Sequence, residues 1–304
     1  MPIASTREIV DAARQAGAGA GAFNVITLEH AEAVVTAAER AGRPVILQLS
    51  QNAVRFHHGR VHPIASGMAR VAEEAAVPVS LHLDHVEDET LLHEAADAGF
   101  SSVMFDASTR PYQENVRATR AAVDWAHRHG LWAEAELGEV GGKDGAHAPG
   151  VRTDPVEAAR YVAATGADGL AVAVGSSHAM TERTAVLDLD LVARLRRAVP
   201  VPLILHGSSG VPDDQLAAAV RQGIVKVNIG TALNVAYTGA VRAILTQPGH
   251  PTDPRTYLRA ARDAMADTVV HLIQVLGTPV CGPGSGQGVG GRLAPRSSTA
   301  PPSQ

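Results

Sequence analysis

Between about residues 20 and 245, short apolar runs alternate with longer stretches in which apolar residues recur at helical spacing. Eight of the short runs have strand length: 22–26, 45–50, 79–85, 102–106, 133–138, 169–175, 202–207 and 224–230. Several are apolar almost throughout, the pattern of parallel strands covered by helices on one face and core on the other. Helical patterns occupy 28–41, 86–98, 114–129 and 155–165. Asp154-Pro155 reads as an N-cap with proline at the first helical position, and Gly42, Gly99, Gly130 and Gly166 stand where left-handed caps occur. Eight β–α alternations predict a (β/α)8 barrel, a TIM barrel in the α/β class, with a doubly wound open sheet as the alternative. Helices at 6–15 and 254–275 bracket the repeat. Residues 277–304 are rich in Gly, Pro and Ser and are expected to form a disordered tail, leaving one barrel domain over 1–276.

Composition narrows the classes. The chain has 304 residues, 45% of them hydrophobic, enough for one large core. A net charge of −5 gives no basic stripe for nucleic acid. No apolar run reaches the length of a membrane span, and the first residues do not read as a signal peptide. A single cysteine, Cys281, excludes an intramolecular disulfide and fits a reducing cytoplasm. Lys143 and Lys226 are the only lysines.

Catalytic groups of such a barrel belong at the C-terminal strand ends. Strand three ends His82-Leu83-Asp84-His85, strand four ends in Asp106, and strand five carries Glu134 and Glu136. Strand six runs into Ser176-Ser177-His178, strand seven ends His206-Gly207-Ser208-Ser209-Gly210, and strand eight ends Asn228-Ile229-Gly230-Thr231. His85, His178 and His206 form a candidate zinc set with one position left open. Spacing alone does not separate that set from three packed histidines. His82, three residues back, reads as orienting a neighbour. Asp84 is placed for proton transfer, or for a salt bridge to a rim arginine. Asp106 and Glu136 read as supporting carboxylates or a second metal position, and Glu134, deeper in the barrel, as structural. The Gly- and Ser-rich turns after strands seven and eight stand where barrels often bind phosphate.

These segments, in this order and spacing, resemble class II fructose- and tagatose-bisphosphate aldolases. The resemblance rests on His82 to His85, Glu134 to Gly138, Val174 to His178, His206 to Gly210 and Lys226 to Asn228, with Ala22-Phe23-Asn24 and the 253–259 segment added. It spans about residues 3–275. It implies Zn2+ on His85, His178 and His206, with Asp106 and Glu136 where a displaced metal rests. It implies that Asp84 takes the C4 hydroxyl proton during cleavage. Gly207, Ser209, Asn228 and Thr231 would bind the phosphate of the dihydroxyacetone phosphate moiety, and Asn24 and Ser50 would contact substrate. Arg255 would reach a neighbouring subunit's site to bind the other phosphate, implying a homodimer or homotetramer. A monovalent cation, Na+ or K+, would lie near the phosphate.

The chain departs from the family at several points. Asp144 stands where the loop after strand five usually carries a glutamate acid, with Glu139 as the substitute. Ala179 and Ser208 replace residues usually glycine, or glycine or alanine. Gly230 leans to the tagatose type, whereas Gln48-Leu49-Ser50 leans to the fructose type. The expected reaction is reversible cleavage of a ketose 1,6-bisphosphate to dihydroxyacetone phosphate and an aldehyde phosphate. The alternatives are cleavage of a 6-phospho-keto-deoxy sugar acid, a Schiff-base aldolase using Lys226, and a sugar-phosphate-binding barrel without catalysis.

Overall fold

The computed structural model describes residues 3–138, 152–178 and 180–277. The expectations for Glu139, Asp144, Ala179 and the 278–304 stretch of the tail lie outside the described residues. Eight parallel strands close into a barrel in sequence order: β1 Ala20–Asn24, β2 Val45–Ser50, β3 Val79–Val86, β4 Ser102–Phe105, β5 Trp132–Glu136, β6 Gly169–Ala171, β7 Leu203–Leu205 and β8 Ile224–Ile229. Helices α1 Thr6–Ala16, α2 Leu28–Ala41, α3 Gln51–Phe56, α4 Val61–Glu74 and α5 Glu89–Glu94 come first. They are followed by α6 Tyr112–Arg128, α7 Pro155–Thr165, α8 Leu189–Ala198, α9 Asp213–Gln222, α10 Thr231–Leu245 and α11 Pro254–Leu276. The closed order removes the open-sheet alternative.

Cap residues set the helix limits. Asp154 accepts from the Val156 and Glu157 N–H groups at 2.9 Å, and Pro155 opens α7. Ser5 and Glu8 cap α1 reciprocally. The helix expected over 86–98 is much shorter: β3 continues through Val86, and the Asp88 side chain starts α5 by accepting from Thr90 N–H. Six strands also stop earlier than their apolar text, β6 by the most. Beyond Val172 the chain changes partners: Ala173 N–H donates to Thr153 Oγ1 at 2.8 Å, and Ala173 O accepts from Thr153 N–H.

Alternation survives beneath the apolar strand text and sorts two layers. Val45, Leu47 and Leu49 of β2 face the main apolar cluster under the helices, as do Val79, Leu81 and Leu83 of β3. The opposite parity fills the barrel. Near the strand starts it is mainly apolar: Ala20, Ile46, Trp132 and Ile204 pack with Ile9, Val10 and Ala13 of α1, which closes that end, and the buried Ser80 and Ser102 hydroxyls bond to Thr6 of the same helix. Nearer the strand ends it is polar, with Gln48, His82, Asp84, Glu134, Glu136, Lys226 and Asn228 all buried. Register sets these groups side by side, Gln48 opposite His82 and Ser50 opposite Asp84.

Candidate active site at the strand ends

Strict alternation sends Asp84 inward and His85 outward. The structure defeats this at the end of β3. The β3–β4 register shifts between Leu83 and Val86, and His85 adopts φ 49°, one of two described non-glycine residues at positive φ. Such a conformation is costly for a histidine and occurs where a site demands it. Here it turns two consecutive side chains into one cavity of about 380 Å3. That cavity is also lined by His178, by Asn24, Gln48 and Ser50, and by Gly207, Ser209, Asn228 and Thr231.

Two of the three predicted histidines, His85 and His178, line the cavity, and the third, His206, is fully buried against His85 with ring centroids 4.8 Å apart. Each of His85, His178 and His206 offers a ring nitrogen within 4.8 Å of the others. Their partners fix how the rings present. His85 Nδ1 lies 2.7 Å from Asp106 Oδ2. His206 Nε2 lies 2.9 Å from Glu134 Oε1, so the carboxylate accepts the ring proton there. The fully buried His206 Nδ1 makes no hydrogen bond, with Glu136 Oε2 3.4 Å away. A buried ring nitrogen without a hydrogen bond, beside two other imidazoles, fits a divalent metal of zinc type, and an all-histidine set leaves a coordination position for substrate. His85, Asp106 and Glu136 form a second group with the same spacing.

A charged lattice lies directly below. Lys226 is fully buried, its Nζ 2.7 Å from Glu134 Oε2, 2.8 Å from Asn228 Oδ1 and 3.3 Å from Gln48 Oε1. Burial pushes the Glu134 carboxyl up, but Lys226 and His206 outweigh it and hold it at about 2. Burial pushes the His206 ring down, but Glu134 and Glu136 raise it to about 10. Asp84 accepts from Gln48 Nε2 at 3.0 Å. Burial opposes its ionisation, yet His85, His206 and His82 keep it well below the usual carboxylate range. His82 is held by Ser102 Oγ at 2.8 Å, away from the three-histidine set. Lys226 does not line the cavity, and its amine is enclosed by this lattice. A Schiff-base nucleophile needs access to a substrate carbonyl, which this placement denies.

The turns expected to take phosphate form one wall. Gly207 has φ 62°, and a Cβ there would stand 2.5 Å from the Ser177 backbone, so only glycine closes this turn. The departure at Ser208 has a purpose: its buried hydroxyl donates to Asn228 O at 2.5 Å and ties the β7 turn to the end of β8. Ser209 Oγ accepts from Ala232 N–H at the start of α10, and Thr231 opens that helix. At Gly230, a Cβ would meet the Asn24 amide at 2.9 Å. Ser50 caps α3 by accepting from Ala53 N–H. Among the described residues of the predicted site, Arg255 alone lies elsewhere: 85% exposed, it pairs with Asp253 on the outer surface and borders a separate depression.

Sequence reasoning missed two supports. Gln48 links Asn24, Asp84 and Lys226, and its inward parity beside Ser50 was the available signal. The buried Tyr161 hydroxyl and Asn115 amide both donate to Glu136 O, fixing the end of β5, and nothing in their local text announced it.

A parallel eightfold barrel that gathers three imidazoles and a buried aspartate at its strand ends has groups that could hold a metal beside a proton acceptor. The profile described as fructose-bisphosphate aldolase class-II matches residues 4–279, and the chain belongs to that family: it is an aldolase, a carbon–carbon lyase. It is 36% identical over 282 residues to the fructose-bisphosphate aldolase of Staphylococcus aureus, spanning 91% of this chain and 98% of the relative. The Staphylococcus epidermidis enzyme of the same name is 37% identical with the same coverage. Among solved structures, the YdjI aldolase of Escherichia coli K12 superposes with a TM-score of 0.79 at 35% identity, over 91% of this chain and 98% of that one.

Proposed function

We propose that this aldolase cleaves a ketose 1,6-bisphosphate, of fructose or tagatose type, reversibly to dihydroxyacetone phosphate and an aldehyde phosphate, with Zn2+ on His85, His178 and His206. The observation that carries this reading is the buried His206 Nδ1, which makes no hydrogen bond, in a ring grouped with two further imidazoles beside the Asp84 carboxylate. Bound zinc supplies Lewis-acid polarisation of the substrate's carbonyl oxygen. Asp84, ionised and held by Gln48, accepts the C4 hydroxyl proton as the C3–C4 bond breaks. The carbanion left at C3 is protonated by Asp144. Gly207, Ser209, Asn228 and Thr231 hold the phosphate of the dihydroxyacetone moiety, aided by the α10 N-terminus. Asn24 and Ser50 orient the remaining hydroxyls. Asp106 and Glu136 offer the second metal position, and a monovalent cation, Na+ or K+, balances charge near the phosphate.

Arg255 lies outside its own subunit's cavity, so its role requires a homodimer or homotetramer in which it reaches the neighbouring site. No described helix is long and apolar enough to cross a membrane, and a cytoplasmic setting suits this chemistry. The barrel over 1–276 acts as one domain. The test is triose phosphate release from fructose and tagatose bisphosphates. Release that EDTA abolishes and Zn2+ restores supports the reading. No release from either ketose, or borohydride trapping of substrate on Lys226, refutes it.

A further inference from the structure

Among the described residues, Arg55 is the only lysine or arginine lining the central cavity. It stands near the end of α3, where the Ser50 cap sets the helix at the mouth of the barrel. The turns after β7 and β8 lie two to three strands further round the rim. Its guanidinium is weakly engaged by its neighbours: Nη1 donates to Asn52 Oδ1 at 3.1 Å, and Nη2 stands 3.8 Å from Glu87 Oε2. The side chain is 62% exposed, and an exposed pair at that separation holds a guanidinium weakly. Most of its five donors therefore stay open to a better acceptor, and a phosphate or carboxylate can take two at once. Asn52, also in the lining, adds a polar contact beside it.

We infer that Arg55 recognises the anionic group at the far end of the substrate and selects ketose phosphates with an oxyanion there over those without one. This rests on the aldolase reading above and adds a specificity residue from the same subunit. A substrate with its first phosphate on the turns after β7 and β8 would extend past the histidines towards α3. The oxyanion can be a terminal phosphate or a terminal carboxylate, since both offer the paired oxygens a guanidinium takes.

The test compares kcat/KM for three substrates: fructose 1,6-bisphosphate, fructose 1-phosphate and a ketose 1-phosphate ending in a carboxylate. Wild-type enzyme is expected to prefer one or both anionic-ended substrates, and the preferred one identifies the group. Arg55→Ala should lower that preference on the order of tenfold to a hundredfold, the loss of a charge-assisted hydrogen bond. Arg55→Gln should lower it similarly, and Arg55→Lys should keep part of it. An unchanged preference in Arg55→Ala and Arg55→Gln overturns the inference, as does a preference that moves in Arg255→Ala instead. Equal wild-type rates on all three substrates also overturn it while leaving the aldolase reading intact. Wild-type enzyme that cleaves none of them overturns both.

Discussion

At the scale of single residues, chemistry depends on two neighbours that alternation would have separated. Asp84 and His85 share the cavity because β3 slips register and His85 accepts φ 49°. Both residue types were legible in the text, and so were His178 and His206, because histidines at several strand ends converge on one rim. The slip was not legible, since no glycine or proline marks it. The shared placement predicts a separable effect. Asp84→Ala should lower kcat roughly a hundredfold to ten-thousandfold, the usual contribution of a positioned base. Zinc content measured by atomic absorption should stay near one per subunit, because Asp84 accepts from Gln48 and does not belong to the three-histidine set. Full activity in this variant would remove Asp84 from the proton transfer.

At the scale of elements, the lower half of the site is a bridge between strands. Glu134 of β5 joins His206, just after β7, to Lys226 of β8. The sequence reads Glu134 as structural from its depth; in the structure it also reaches His206. In Glu134→Gln, an amide must satisfy both a ring and a buried ammonium. Metal affinity should fall roughly 10–100-fold in a chelator competition, as for loss of other groups that orient a ligand histidine. Stability should fall by about 3–5 kcal/mol in urea, because Lys226 loses its buried counter-charge. A second inter-element contact sets the response to acid. His30 of α2 stacks on Tyr237 of α10 with centroids 4.8 Å apart, and burial lowers its pKa from 6.5 to about 4 despite Glu29 and Asn234. The unfolded chain therefore takes up this proton first as pH falls. Stability from neutral His30 is complete above about pH 6.5 and is lost towards about pH 4, a swing of at most about 3 kcal/mol. Replacing His30 with Gln should flatten the urea midpoint against pH across that window. An unchanged slope would mean that other groups govern it.

At the scale of the whole molecule, the barrel divides its labour along its axis. The strand ends carry the charged and strained groups, while the strand starts carry a mainly apolar layer with Ala20, Ile46, Trp132 and Ile204, the Ser80 and Ser102 hydroxyls tied to Thr6, and the underside of α1. The eightfold alternation made the barrel legible, but α1 as its floor was not, since its text reads as an ordinary amphipathic helix. Its apolar residues could have faced any neighbour, and only closure of the strands leaves an open end for them to fill. This separation carries its own consequence. Ile9 is buried in the floor, on the helix that lies before β1 and far along the barrel from His85. Ile9→Ala should cost about 2–5 kcal/mol, the transfer and cavity cost of a large apolar side chain. Because the three histidines, Asp84 and the phosphate turns hang on the opposite ends of the strands, kcat and KM of the folded variant should match the parent at a temperature where both are native. Thermal unfolding and steady-state kinetics on the same preparation decide it. A loss of stability with unchanged kinetics fits an axis along which packing and chemistry are independent. A matching loss in kcat would show that the floor helps to hold the rim in register.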